Sequence, residues 1–206
     1  MTGGARGVDV YVVRHGEVEA NVREVLAGRS DSPFTAAGLR HPEALAAALA
    51  GIQFTRIYTS PIQRARETAE RIRAEWAQPV LLEETWAIAE IDAGEFEGLR
   101  FEEVRARVRD FGRAADFRYP GGESWGDVQR RALGFLFGLE RRHSGASVLL
   151  VTHAGVIASL VAHHLGEPIG RYIRVRFGHD FVGRLRVAAA RITEYEHIQG
   201  TVDRWF

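Results

Sequence analysis

Two apolar strands, each ending on a histidine, constrain this chain more than anything else in it. Val8 to Val13 is an apolar, largely β-branched run that stops at Arg14-His15-Gly16-Glu17. Such a run reads as a strand buried on both faces, and so as a central strand of a parallel sheet. Ser147 to Thr152 repeats the pattern and stops at His153-Ala154-Gly155. In an open α/β sheet, ligands gather outside the carboxyl ends of the strands, so both histidines fall where chemistry is placed.

The segments between them alternate. Gly38 to Leu49 reads as a helix with Thr35 placed to cap it, and Arg56 to Thr59 as a short strand. Ser60-Pro61 then opens a helix to about Trp76, with Ser as N-cap and Pro as first helical residue. Pro79 to Leu82 reads as another strand. From Ile91 to Trp125, glycines and scattered aromatics give no long period, which predicts an irregular, lid-like excursion around a short helix at Phe101 to Arg109. Asp127 to Arg142 is amphipathic at helical spacing, Gly155 to Leu165 reads as a helix after the second strand, and Phe181 to His197 as one or two edge strands. The expected fold is α/β: a three-layer, doubly wound, mostly parallel central sheet flanked by helices. With 206 residues and no repeat or linker, a single domain over residues 1–206 is expected.

Composition narrows the function classes. Lys plus Arg and Asp plus Glu both number 27, so no net field draws the molecule to nucleic acid or to an anionic membrane. All 27 of those cations are Arg, so only their positions carry information about anion binding. The absence of Cys removes disulfides, thiolate metal sites and Cys nucleophiles together, and is compatible with a reducing cytoplasm. Met1 to Gly7 lacks a signal-peptide layout. The long apolar stretch Ser147 to Leu165 holds three histidines and breaks at Ala154-Gly155, unlike a membrane span. A cytoplasmic protein is expected, with a homodimer left open.

A third strand end adds to the two histidines. Ser60-Pro61-Ile62-Gln63-Arg64-Ala65-Arg66-Glu67-Thr68-Ala69 puts Arg64 in the first turn of a helix, with Thr68 on the same face. A helix start offers free N–H groups and a positive dipole end, both suited to an anion. Arg14, His15, Arg64 and His153 therefore make a basic pocket on one sheet edge.

These residues resemble the histidine phosphatase superfamily, the group that includes cofactor-dependent phosphoglycerate mutases. Its R-H-G, S-P-x-x-R-A-x-x-T-A, Glu before G-x-x-x-G, and T-H-A-G motifs occur here in order between Arg14 and Gly155. The resemblance implies a phosphoglycerate mutase-like fold, His15 as nucleophile, Arg14 and Arg64 as phosphate clamp, and His153 as a further donor. It also implies that Asn21, Ala154 and Gly155 border the phosphate. Glu90, four residues before Gly94 and eight before Gly98, takes the place of the general acid. No metal or cofactor is implied, and the partner is a small phosphorylated substrate. Phosphoryl transfer asks for these residue types, because guanidinium forks and backbone N–H groups stabilise the equatorial oxygens.

The compact Pro120-Gly121-Gly122-Glu123-Ser124 string resembles the phosphatase branch, whereas mutases carry an extra basic segment there. A mutase and a non-catalytic phosphate-binding module are the alternatives. Val18 and Ala20 depart from the residues many members carry in that loop, which leaves substrate contacts there open. His41 is read as surface or structural; His143, His163, His164, His179 and His197 are assigned solvated or capping roles. Phe96, Phe101, Phe111, Phe117, Tyr119 and Trp125, with Arg105, Arg109, Arg113 and Arg118, either pack the lid or meet substrate.

Overall fold

In the computed structural model, residues 7–108, 116–172 and 175–204 are described. The chain runs through β1 (Val8–Arg14), α1 (Glu19–Val22), α2 (His41–Ala48), β2 (Phe54–Thr59), α3 (Gln63–Ala74) and β3 (Leu82–Glu84). Two 3₁₀ turns, Trp86–Ile88 and Gly94–Phe96, lead to α4 (Phe101–Arg107). Then follow α5 (Trp125–Arg142), β4 (Ser147–Thr152), α6 (Ala154–Leu165), α7 (Ile169–Tyr172), β5 (Val175–Phe177), β6 (Val182–Ala188), β7 (Arg191–Gln199) and β8 (Val202–Arg204).

The main sheet has the order β3-β2-β4-β1-β6-β7. β1, β2, β3 and β4 pair in parallel, while β6 runs antiparallel to β1 and to β7. Alternate side chains then fill two cores. Val10, Val12, Val148 and Leu150 face one side, where they meet Leu136 and Leu139 of α5 and Leu160 of α6. Val13, Leu149 and Val151 face the other, where Leu45 of α2 and Ile72 of α3 cover them. This is the three-layer, mostly parallel arrangement expected. α6 is buried without a break from Gly155 to Ala162, and each large aliphatic side chain so placed contributes about 1.5–3 kcal/mol.

Several boundaries differ from the expectation. The helix after Ser60-Pro61 begins at Gln63, because Ser60 Oγ accepts a bond from Ile62 N and caps the turn ahead of it. Thr35 likewise caps the turn at Gly38 and not α2, which starts at His41 with Pro42 in its first turn. The strand expected at Pro79 lies at Leu82–Glu84; Pro79 has no N–H to give a ladder. Phe181 to His197 was expected at an edge, yet only β7 is one, since β6 is wedged between β1 and β7. β1 is central but parallel on one side only, and its Asp9 pairs with Arg186 at 2.6 Å. Arg109, Phe111 and Arg113 lie outside the described residues, so α4 is given only to Arg107. Among the described residues, no helix is long and apolar enough to cross a membrane.

Candidate active site

Because β2, β4 and β1 are neighbours and parallel, their carboxyl ends open on one edge of the sheet. That places Arg14 at the end of β1 with His15 next after it, Arg64 in the first turn of α3, and His153 as the N-cap of α6. Gly16 is needed at the turn after His15, since a Cβ there would run into the Gly38 carbonyl. The Gly16 N–H donates to Thr68 Oγ1 at 3.0 Å, and that hydroxyl donates to the Arg64 carbonyl at 2.6 Å. One threonine thus joins the first and second motifs.

His15 is 3% exposed, and its bonds define its tautomer. Nδ1 lies 2.8 Å from the Gly16 carbonyl, which only accepts, so Nδ1 carries the hydrogen. Nε2 accepts from Arg64 Nε at 3.3 Å and therefore holds a lone pair. Burial, then Arg64, His153, Arg14 and His179, hold its pKa well below the ordinary 6.5. The ring is a neutral imidazole with its basic nitrogen turned to the guanidinium that would hold an anion.

The flanking cations are fixed from behind. Arg64 donates from its two terminal nitrogens to the Ser30 and Gly28 carbonyls at 2.9 and 2.6 Å. Arg14 donates to the Phe177 carbonyl at 2.6 Å, and burial lowers its pKa to about 10 despite the nearby Glu90 carboxylate. Glu90 Oε1 accepts from Ile91 N at 3.0 Å and Oε2 from Gly155 N at 3.3 Å. Gly155 must be glycine, because a Cβ would overlap the Glu90 carboxylate and the Trp125 ring.

Arg14, His15, Asn21, Arg64, Glu90, Ala154 and Gly155 all line one cavity of about 370 Å³. His153 does not: its ring is fully buried with its centroid 5.1 Å from that of His15. Among the described residues neither of its ring nitrogens has a hydrogen-bond partner, and burial ahead of Arg64 and Arg14 holds its pKa well below 6.5. Asn21 reaches the cavity while its Oδ1 accepts from Val18 N at 3.0 Å. The excursion after Ile91 supplies a wall, with Phe101, Arg105, Tyr119 and Trp125 lining it. Tyr119 is packed edge-on by both Phe96 and Phe117.

The profile of the histidine phosphatase superfamily (branch 1) matches residues 10–205. The chain belongs to that superfamily. It is 34% identical over 168 residues to a 6-phosphofructo-2-kinase/fructose-2,6-bisphosphatase of Caenorhabditis elegans; the match takes in 78% of the chain and 35% of the relative. It thus spans about a third of that relative's length. A probable phosphoglycerate mutase GpmB of Cronobacter sakazakii is 31% identical over 183 residues, 86% of this chain and 84% of that one. The solved structure of Bacillus stearothermophilus YhfR superposes with a TM-score of 0.80 at 30% identity, covering 93% of this chain and 100% of that one.

One histidine lies elsewhere than its sequence neighbourhood suggests. His179, expected to be solvated or capping, is buried beside the nucleophile candidate, where Nδ1 donates to the His15 carbonyl at 2.6 Å. Its ring stacks on His41, and burial, followed by Arg14, pushes its pKa down to about 2. Nothing in the spacing of positions 15 and 179 could have joined them. They meet because the chain between β5 and β6 returns across the end of β1.

Three buried histidines that resist protonation make the fold sensitive to acid. Below 6.5 the unfolded chain takes up protons that folded His15, His153 and His179 refuse, so stability should fall as pH drops through that value. Glu123 and Asp127, whose folded pKa values are lowered from 4.5 and 3.8, add their losses only at lower pH. The interval between 6.5 and about 5 therefore isolates the histidines. Thermal melts across it should show a falling Tm; a flat or rising Tm would contradict the protonation states given above.

Proposed function

We propose that the protein is a metal-independent phosphomonoester hydrolase that works through a phosphohistidine at His15. The observation that carries this reading is the neutral His15 ring, whose Nε2 accepts from buried Arg64 in a cavity that buried Arg14 and the Glu90 side chain also line. In the first half-reaction Nε2 attacks phosphorus, the ester P–O bond breaks, and protonated Glu90 gives its proton to the leaving oxygen. In the second, Glu90 takes a proton from water, whose oxygen attacks phosphorus as the P–N bond breaks. Phosphate leaves and His15 regains its lone pair. Arg14, Arg64 and Asn21 hold the phosphoryl oxygens with the N–H groups at Ala154 and Gly155. His153, fully buried with its ring centroid 5.1 Å from that of His15, is the further donor candidate, although it does not line the cavity. Guanidinium charge takes the part a metal plays in other phosphatases.

Besides the catalytic candidates and Arg105, the cavity is lined by apolar and aromatic side chains, among them Val25, Leu26, Ile91, Phe101, Tyr119 and Trp125. A sugar's hydroxyls placed against that wall would each forfeit about 1–3 kcal/mol if left unpaired. The favoured substrate is a small phosphomonoester with an apolar or aromatic body.

The likeness to a probable mutase makes isomerisation the competing reading. A panel of phosphomonoesters, assayed for inorganic phosphate without a bisphosphoglycerate primer, tests the two. Steady phosphate release, undiminished by chelator and inhibited by vanadate, is expected. If 2- and 3-phosphoglycerate interconvert far faster than phosphate appears, the protein is a mutase. No turnover on any ester would leave it a phosphate-binding module.

A further inference from the structure

Outside the cavity lies a second cluster of charge that touches both halves of the site. Arg131 of α5 grips the Glu123 carboxylate with two parallel bonds, Nε to Oε1 and a terminal nitrogen to Oε2, both at 3.0 Å. Its remaining donors reach the carbonyls of Trp86, Ala87 and Glu90 at 3.1, 3.0 and 3.1 Å. Glu123 also accepts from Asp92 N at 3.1 Å and pairs with Arg29 at 3.2 Å. The segment on either side of Glu90 is thus tied to one carboxylate.

That carboxylate reaches the phosphate clamp as well. Arg29 stands between Gly28 and Ser30, whose carbonyls hold the Arg64 guanidinium. It bridges Asp92 and Glu123 from that loop, at 3.1 and 3.2 Å. Burial raises the Glu123 carboxyl's proton affinity, but Arg131, the Asp92 N–H and Arg29 more than reverse this and keep it ionised. Its side chain and that of Arg131 are each 19% exposed, so the fork is shielded from solvent more than a surface pair is.

We propose that Glu123 and Arg131 are positioning residues for the reaction, acting through the Glu90 backbone to set the general acid's carboxyl against the ester oxygen above His15. The inference rests on the reading of Glu90 as the acid. A proton donor must stand within hydrogen-bond reach of the leaving oxygen, and misplacement by about 1 Å costs on the order of 10²-fold in rate. Glu123→Gln keeps the shape of the joint but leaves Arg131 without its counter-charge and Arg29 with Asp92 alone. Arg131→Lys keeps the charge but loses the fork and its carbonyl contacts.

The test compares two esters with the same ring: 4-nitrobenzyl phosphate, whose alkoxide needs a proton to leave, and 4-nitrophenyl phosphate, whose phenolate does not. Both variants should lose about 10–100-fold in kcat on the benzyl ester, with KM little changed and much less loss in the nitrophenolate burst. A purely structural role would lower Tm and depress both esters together. Glu90→Gln, run alongside, separates the two levels of the account. If its benzyl-to-phenyl ratio matches wild type, the acid assignment fails. If that ratio changes in Glu90→Gln but stays at the wild-type value in Arg131→Lys and in Glu123→Gln, the positioning role is overturned. Arg131→Lys retains the buried charge, so it carries the comparison even if Glu123→Gln folds poorly.

Discussion

His15→Ala should fold and bind phosphate but turn over no ester, with kcat reduced by about 10⁴-fold or more, the scale on which losing a covalent nucleophile falls. The fold should survive because His15 is anchored by its backbone. Its N–H donates to the Thr152 carbonyl at 2.9 Å, and its carbonyl accepts from His179. Neither bond involves the ring. Deleting the ring also removes one buried group that resists protonation, so the variant's melting temperature should fall less steeply than wild type's below pH 6.5. Circular dichroism and phosphate release from 4-nitrophenyl phosphate check both halves. Wild-type turnover in a folded His15→Ala protein would remove the imidazole from the chemistry.

Glu90→Gln should divide the reaction into two unequal halves. The amide oxygen can still accept from Ile91 N or Gly155 N, so the side chain's place should hold. What disappears is the proton. Benzyl ester hydrolysis should fall by about 10²–10⁴-fold, the range of general acid–base catalysis, while 4-nitrophenyl phosphate still loads His15. Water attack then lacks its base, so the variant should release one burst of nitrophenolate and accumulate phosphoenzyme. Glu90 is also a counter-charge to Arg14 and Arg64, so its neutralisation should tighten inorganic phosphate binding. Rapid quench reads the burst. Equal losses on both esters with no burst would transfer the acid's role to a neighbouring carboxylate such as Asp92, Glu95 or Glu97.

How much of this was legible beforehand depended on how local the cause was. β4 lies where its apolar run put it, and α5 starts two residues earlier than the amphipathic pattern did, at a Ser124–Asp127 capping box. Arg14, His15 and Arg64 were brought together correctly because parallel strands in one sheet share an edge. Glu90 was placed by family likeness alone, since no period runs through its segment. The β6–β7 hairpin was blurred for a physical reason. Its turn residues, Ala189 and Ala190, take positive φ of 51° and 53°, where Asn-Gly would be the usual signal. Glu140 of α5 compensates by accepting from both of their N–H groups, a contact no local pattern announces. His179 and the Arg131–Glu123 fork were missed likewise, because their further partners, the His15 carbonyl for one and the backbone from Trp86 to Asp92 for the other, are distant in sequence.

The division of labour in this site follows from burial. His15, Arg64 and His153 have almost no solvent contact, so a charge placed beside them is screened less than at the surface. In the proposed reaction the cavity wall from the Ile91 excursion meets the ester's body and takes no part in bond making. Changes at Phe101 or Trp125 should therefore alter KM and ester preference before they alter kcat on a small aryl phosphate.

Trapping the phosphoenzyme tests the central claim most directly. Wild-type protein, and Glu90→Gln in larger yield, would be mixed with 4-nitrophenyl phosphate carrying labelled phosphorus, quenched within milliseconds, and digested for peptide mapping. The account predicts label on the peptide containing His15, lost in acid and stable in base as a phosphoramidate is, and absent from His15→Ala. Label on a serine, threonine or carboxylate, or turnover with no labelled protein at any time, would contradict it.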